Sequence, residues 1–190
     1  MTDSDLDIKL NKISYTIDSD YSFEIFENDI IYPMFRYCKN IKILDRTFGN
    51  CIMNRNMELK DNYKRGLTYI LKMIKNSNVN IDKLSVEIYT SIRGTKDKEK
   101  QTQINQKIED FLEELMNEYS LDITCYFKKP YADFAHDRYI FTDQIGVQIG
   151  RGIDLLDENG KLRKMTICVI DNSEKRKLET ETRAFDDIEF

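Results

Sequence analysis

Residues 136–154 read HDRYIFTDQIGVQIGRGID, and no other stretch of the chain limits the fold as tightly. Two closely spaced β-type runs, Arg138–Thr142 and Gly146–Ile149, predict a hairpin, and Gly150 and Gly152 follow it at once. The only histidine of the chain, His136, stands at the head of the first run, giving the pattern H-x-R-x4-D-x6-G. On a strand, His136 and Arg138 point to the same face, because successive side chains alternate. Imidazole titrates near neutrality and can attack phosphorus or move a proton, while guanidinium holds phosphate oxygens in a permanently charged fork. Asp143, just past the strand, is placed to orient the imidazole as the third member of a relay. Gly150 and Gly152 let a backbone come close to a ligand. His136, Arg138 and Asp143 are therefore the candidate catalytic residues, with Arg138, Gly150, Arg151, Gly152 and Asp154 as candidate ligand-binding residues.

The rest of the chain alternates between helical and strand periodicity. Ile13, Tyr15 and Ile17 suggest a first strand. Phe23, Phe26, Ile30, Met34 and Cys38 recur at helical spacing, with Pro33 predicting a kink or two helical pieces. Ile41–Leu44 is a short strand ending at Asp45-Arg46. Tyr63, Leu67, Ile70, Leu71 and Ile74 make the stripe of a second helix, closed by Asn76–Asn78. Leu84–Ile92 is a strand, and the lysine-rich run from Arg93 to Lys100 reads as a solvated loop. A long helix follows over Gln101–Tyr119, on the stripe Ile104, Ile108, Phe111, Leu112, Leu115 and Tyr119. Ile123, Cys125 and Phe127 make another strand, Asp157–Gly160 a turn, and Met165–Ile170 a last strand. The final twenty residues are highly charged and carry no assignable pattern. This order predicts an α/β fold, a mixed β-sheet flanked by helices on both faces, in one domain spanning residues 1–190.

Composition narrows the function. The net charge is −5, from 34 acidic against 29 basic side chains, which disfavours a dedicated nucleic-acid binder. Cys38, Cys51, Cys125 and Cys168 have no C-x2–4-C spacing, and one histidine is too few for a zinc site or a metal-dependent HD hydrolase at His136-Asp137. The cysteines read as small buried hydrophobes, and neither metal nor cofactor is expected. No Gly-Lys-Ser/Thr follows the glycines, so this is not a P-loop. The acidic N-terminus has no apolar h-region and no segment has membrane-spanning length. The expected location is cytoplasmic, with peripheral contact to a membrane. Tyr126, Tyr131 and Tyr139 read as core or rim packing rather than as base-stacking platforms.

The pattern H-x-R-x4-D-x6-G resembles the phospholipase D superfamily signature H-x-K-x4-D-x6-G. Arginine replaces its lysine, and Arg151-Gly152-Ile153-Asp154 stands where that superfamily has a small hydroxyl residue and an asparagine. His-Asp-Arg-Tyr-Ile followed by Ile-Gly-Arg-Gly-Ile-Asp is similar to a narrower group, the phospholipase D-like domain at the C-terminus of MIT-domain proteins. The resemblance runs over roughly residues 8 to 190 and is sharp between His136 and Leu156. It implies a dimeric, non-catalytic domain that associates with phosphoinositide-containing membranes, with His136, Arg138, Asp143 and Arg151 in a phosphate-facing cluster. No three-helix MIT module is expected, since about twenty residues precede the first predicted helix; recognition of ESCRT tails does not follow. Aspartate at position 143, where the group can carry asparagine, is closer to the catalytic pattern.

Three functions follow from these residues. One is a phosphate- or anionic-ligand-recognising domain, without efficient turnover, working as a homodimer on a target such as an anionic lipid headgroup. Another is a metal-independent phosphodiesterase or nuclease in which two subunits each bring one His136, because catalytic members pair two motif copies and this chain has one. The third is a scaffold subunit with a partner protein, where the cluster is structural. In that case the histidine is a packed residue, and Arg138 with Asp143, or Arg151 with Asp154, is an ion pair.

Overall fold

The computed structural model describes residues 14–18, 20–50, 52–53, 58–79, 81–91, 98–128 and 136–183. Ile13, Cys51, Tyr131 and positions 93–97 of the lysine-rich run lie outside them. The expected α/β architecture is present. A seven-stranded mixed sheet is ordered β1-β9-β8-β7-β2-β5-β6. Its strands are β1 (Ser14–Ile17), β2 (Asn40–Leu44), β5 (Ser85–Ser91), β6 (Asp122–Lys128), β7 (Tyr139–Thr142), β8 (Gly146–Ile149) and β9 (Met165–Val169). A two-stranded ribbon, β3 (Ile52–Met53) with β4 (Glu58–Leu59), stands apart.

Strands β2, β5 and β6 run parallel, and parallel neighbours need crossovers. Helix α3 (Asp61–Ser77) makes the first and α4 (Lys98–Tyr119) the second. Both pack on one face of the sheet. There Ile41, Ile43, Val86, Ile88 and Ile123 meet Leu67, Ile70, Leu71, Ile108, Leu112 and Leu115 in the main core. Each such side chain contributes about 1.5–3 kcal/mol on leaving water, which outweighs the weak preferences of any single residue. The other face carries a smaller core of Leu44, Tyr89, Tyr139, Phe141 and Ile170, covered by Leu178 of α5 (Asn172–Thr182). Tyr126 stacks on Tyr89 there, and Tyr139 is buried, as rim and core packing.

Strand ends and helix ends fall close to their predicted places; the ribbon of β3 and β4 is additional to them, and three helical stretches differ. The first helical stretch is continuous but changes its winding, from α1 (Phe23–Phe26) through a π-helical turn (Glu27–Ile31) to α2 (Tyr32–Phe35). Pro33 has no N–H and its ring crowds the carbonyl four residues before it. The wider turn just upstream, closed by Tyr32 N–H on the Glu27 carbonyl, makes room for it. Second, α4 begins at Lys98, so positions 98–100 of the expected loop are helical. Third, the charged C-terminal stretch forms α5, whose Asp171 side chain accepts from Glu174 N–H at 2.8 Å as an N-cap. Of the described cysteines only Cys38 is buried; Cys125 and Cys168 are half-buried.

Helix α4 ends in a way that invites a test. Ser120 is left-handed at φ 54°, and Leu121 N–H reaches back to the Met116 carbonyl at 3.3 Å, as in a Schellman turn. A side chain costs energy in this conformation and glycine does not. Ser120→Gly is expected to stabilise the domain by about 0.5–1 kcal/mol, read as a raised urea midpoint with an unchanged slope.

Candidate functional site

The register of the sheet brings the motif to one edge. Leu44 at the end of β2 pairs with Tyr139 at the start of β7, Tyr139 pairs with Gln148, and Ile149 at the end of β8 pairs with Ile167. The C-terminal ends of the parallel strands therefore meet the entry to β7 and the exit from β8. In open α/β sheets this is the edge where ligands bind.

At its centre is Asp45, fully buried just past β2. One carboxylate oxygen accepts from Thr47 N–H at 2.9 Å and the other from Ile153 N–H at 2.9 Å. Arg138 Nε lies 3.6 Å from the first oxygen. The same guanidinium donates to the Gly150 carbonyl at 2.9 Å and to Thr47 Oγ1 at 3.2 Å. Its Nε is buried and donates no hydrogen bond, so the contact with Asp45 is electrostatic rather than a fork. Tyr63, in the first turns of α3, completes the group. Burial first, and then the Asp45 charge, push its hydroxyl up to about 12, opposed by a hydrogen bond with Thr47 and by Arg138.

Two glycines let the backbone close over this group. Gly152 has φ +61°, and a Cβ there would run into both the Arg138 side chain and the Asp45 carboxylate. A Cβ on Gly66 of α3 would meet the backbone carbonyl of Ile153. The turn after β8 is thus pressed between a buried ion pair and a helix.

The predicted site residues separate in this geometry. His136 sits on a bend before β7 rather than on the strand, and its side chain is 79% exposed. Its described neighbour is Asp137, at 3.7 Å from Nδ1. Arg138, Gly150 and Gly152 come together with Asp45, but Arg138 is turned inward. Asp143 lies in the turn at the other end of β7, where its carboxylate accepts from Lys39 N–H at 2.9 Å and its carbonyl from Lys175 Nζ at 2.8 Å. Four strand residues span roughly 13 Å, so Asp143 does not reach the imidazole. Neither does it pair with Arg138, whose carboxylate partner is Asp45. The pairing of Arg151 with Asp154 is present, at 4.0 Å, and Asp154 also has Arg163 Nε at 3.2 Å.

Asp45, Thr47, Tyr63 and Arg163 belong to the site by position and were not predicted. Asp45 carried a signal, an aspartate directly after a predicted strand, but nothing in the sequence pairs it with Arg138. Cavities elsewhere, one of about 390 Å³ between α4 and β6 and one of about 270 Å³ at Tyr32 and Val79, take no side chain from residues 136–154.

A mixed sheet with crossover helices, a histidine–arginine entry to an antiparallel strand and a glycine turn closing over it define a phospholipase D-like α/β domain. The chain belongs to the MIT_C family, the phospholipase D-like domain at the C-terminus of MIT, whose model matches residues 42–186. No curated protein matches the chain. No helix among the described residues is long and apolar enough to cross a membrane.

Burial is the largest influence on Asp45 and raises its pKa, against the Ile153 N–H, Arg138 and Thr47, which lower it. The folded state then holds this proton to higher pH than the unfolded chain. The contribution of Asp45 to stability is full below about pH 4 and is lost as pH rises through its raised folded value. In urea melts across this range, Asp45→Asn is expected to remove that downward slope with pH, and an unchanged slope would rule the linkage out.

Proposed function

We propose that this domain recognises a phosphate-bearing or other anionic ligand without turning it over, and that it does so as a homodimer. The observation that carries the reading is the inward use of Arg138. In the superfamily signature this position supplies the cation for phosphate. Here its guanidinium is spent on Asp45, Gly150 and Thr47, and only 26% of the side chain is exposed. A buried aspartate cannot easily release its counter-charge, since breaking such a pair costs about 3–5 kcal/mol. Asp143, the expected relay member, is engaged at the far end of β7, and the carboxylate that the described residues place by His136 is Asp137, at 3.7 Å from Nδ1 and on the same exposed bend.

Within residues 136–154 the guanidinium left facing solvent is that of Arg151, 46% exposed on the turn that Gly152 forms. Recognition is assigned to it rather than to Arg138. The resemblance to MIT_C domains supports both the dimer and an anionic membrane lipid as the target.

The two arginines are expected to behave differently. Arg151→Ala should weaken low-salt attachment to anionic liposomes several-fold with little change in stability. Arg138→Ala should instead lower stability by about 3–5 kcal/mol, because it strands Asp45. The purified protein, run at the mass of a dimer in light scattering, should cleave no generic phosphodiester in EDTA, and His136→Ala should match it. Cleavage that disappears in His136→Ala would make the protein an enzyme. Failure of the wild type to attach at low salt would remove the binding reading.

A further inference from the structure

The turn after β8 and the strand-entry residue Arg163 bring two guanidinium groups to one carboxylate. Arg151 Nη1 is 4.0 Å from one oxygen of Asp154, and Arg163 Nε is 3.2 Å from the other. Neither contact is a hydrogen bond, and that second oxygen, though buried, has no hydrogen-bond partner. Arg163 uses its Nε on the Leu156 carbonyl at 2.9 Å. Its terminal N–H groups, and all those of Arg151, donate to nothing among the described residues. Asp154 itself is 16% exposed, below arginines that are 46% and 30% exposed. Two open donor forks therefore lie against one carboxylate, an excess of one positive charge among these three groups, to which the neighbouring Asp157 and Lys161 add one charge of each sign.

Resting on the anion-recognition reading above, we propose that Arg151 and Arg163 together form the oxyanion site, for the phosphomonoester group of a ligand, and that Asp154 is its built-in charge gate. Two guanidinium groups suit an oxyanion with several acceptor oxygens. The carboxylate beneath them opposes every incoming anion and holds the attraction down to the positive charge left over. A phosphomonoester dianion interacts with the net excess twice as strongly as a phosphodiester monoanion. Substituting Asp154 by asparagine keeps the shape and removes a full charge. It loosens the arginines little, since Arg163 keeps the Leu156 carbonyl and Arg151 makes no hydrogen bond to lose.

Calorimetric titration with glycerol phosphate and with a dimethyl phosphate control tests this on the full chain. The wild type should prefer the monoester, Asp154→Asn should bind glycerol phosphate on the order of 5- to 10-fold more tightly, and Arg151→Ala and Arg163→Ala should each lose most of the binding. Wild-type binding that Asp154→Asn leaves unchanged or weakens overturns the gate and leaves anion recognition standing. Absence of binding and of liposome attachment in wild type and Asp154→Asn alike overturns both. Should Asp154→Asn fail to fold, the side-chain N–H resonances of wild-type Arg151 and Arg163 decide. They should move together on adding glycerol phosphate while Arg138 stays still, and a stationary Arg163 sinks the proposal. Attachment to phosphatidate vesicles that glycerol phosphate competes away marks a lipid source for the group. Binding of glycerol phosphate without vesicle attachment marks a soluble one.

Discussion

Much at the functional edge of this domain depends on one buried carboxylate. Asp45 follows directly on strand β2, and its two oxygens are shared among its own turn at Thr47, the turn after β8 at Ile153, and Arg138 at the entry to β7. The hairpin that brings Arg138 and Ile153 lies far along the chain from Asp45 and its own turn. A fully buried carboxylate needs such partners, because leaving it uncompensated is far costlier than exposing it. The arrangement therefore works as a clamp: β2, β7 and β8 cannot separate at this edge without stranding a charge. It also explains why Gly152 and Gly66 are glycines, since the clamp and α3 press on the turn from two sides.

The elements with strong periodicity were legible in the sequence. Tyr63 through Ile74 and Ile108 through Tyr119 are apolar on one stripe, and those stripes are the ones buried against the sheet. Helix α5 was not read because Leu178 and Thr182 are its only buried residues, and so few leave no stripe. Its start was nevertheless written locally, in the spacing of Asp171 and Glu174, which is that of a capping box. The ribbon of β3 and β4 is two residues per strand, too short for any alternation to show.

The site was legible in a different measure. Arg138 lies beside Gly150 and Gly152 because a hairpin returns the chain to its starting edge, a proximity their spacing carries. The same spacing could not place Asp143, which the hairpin carries to the opposite end of β7. It also could not find Asp45, whose relation to Arg138 exists only through the antiparallel pairing of β2 with β7. A motif records which residue types a fold needs at given positions. Whether an arginine there faces a ligand or a buried carboxylate depends on a residue outside the motif.

That division of labour has a consequence for the turn itself. Gly152 takes φ +61° without the cost a side chain would carry, and it takes it where Arg138 and Asp45 fill the space a Cβ would need. The left-handed residue reverses the chain between Arg151, which is left in solvent, and Ile153, which is fully buried and donates its N–H to Asp45. The inward arginine thus shapes the backbone that holds the outward one. In a phospholipase D-like fold where Arg138 has become a strut, the exposed Arg151 of the neighbouring turn has a rigid footing. Its backbone is held through Gly152 and Ile153, the two residues that meet the buried pair.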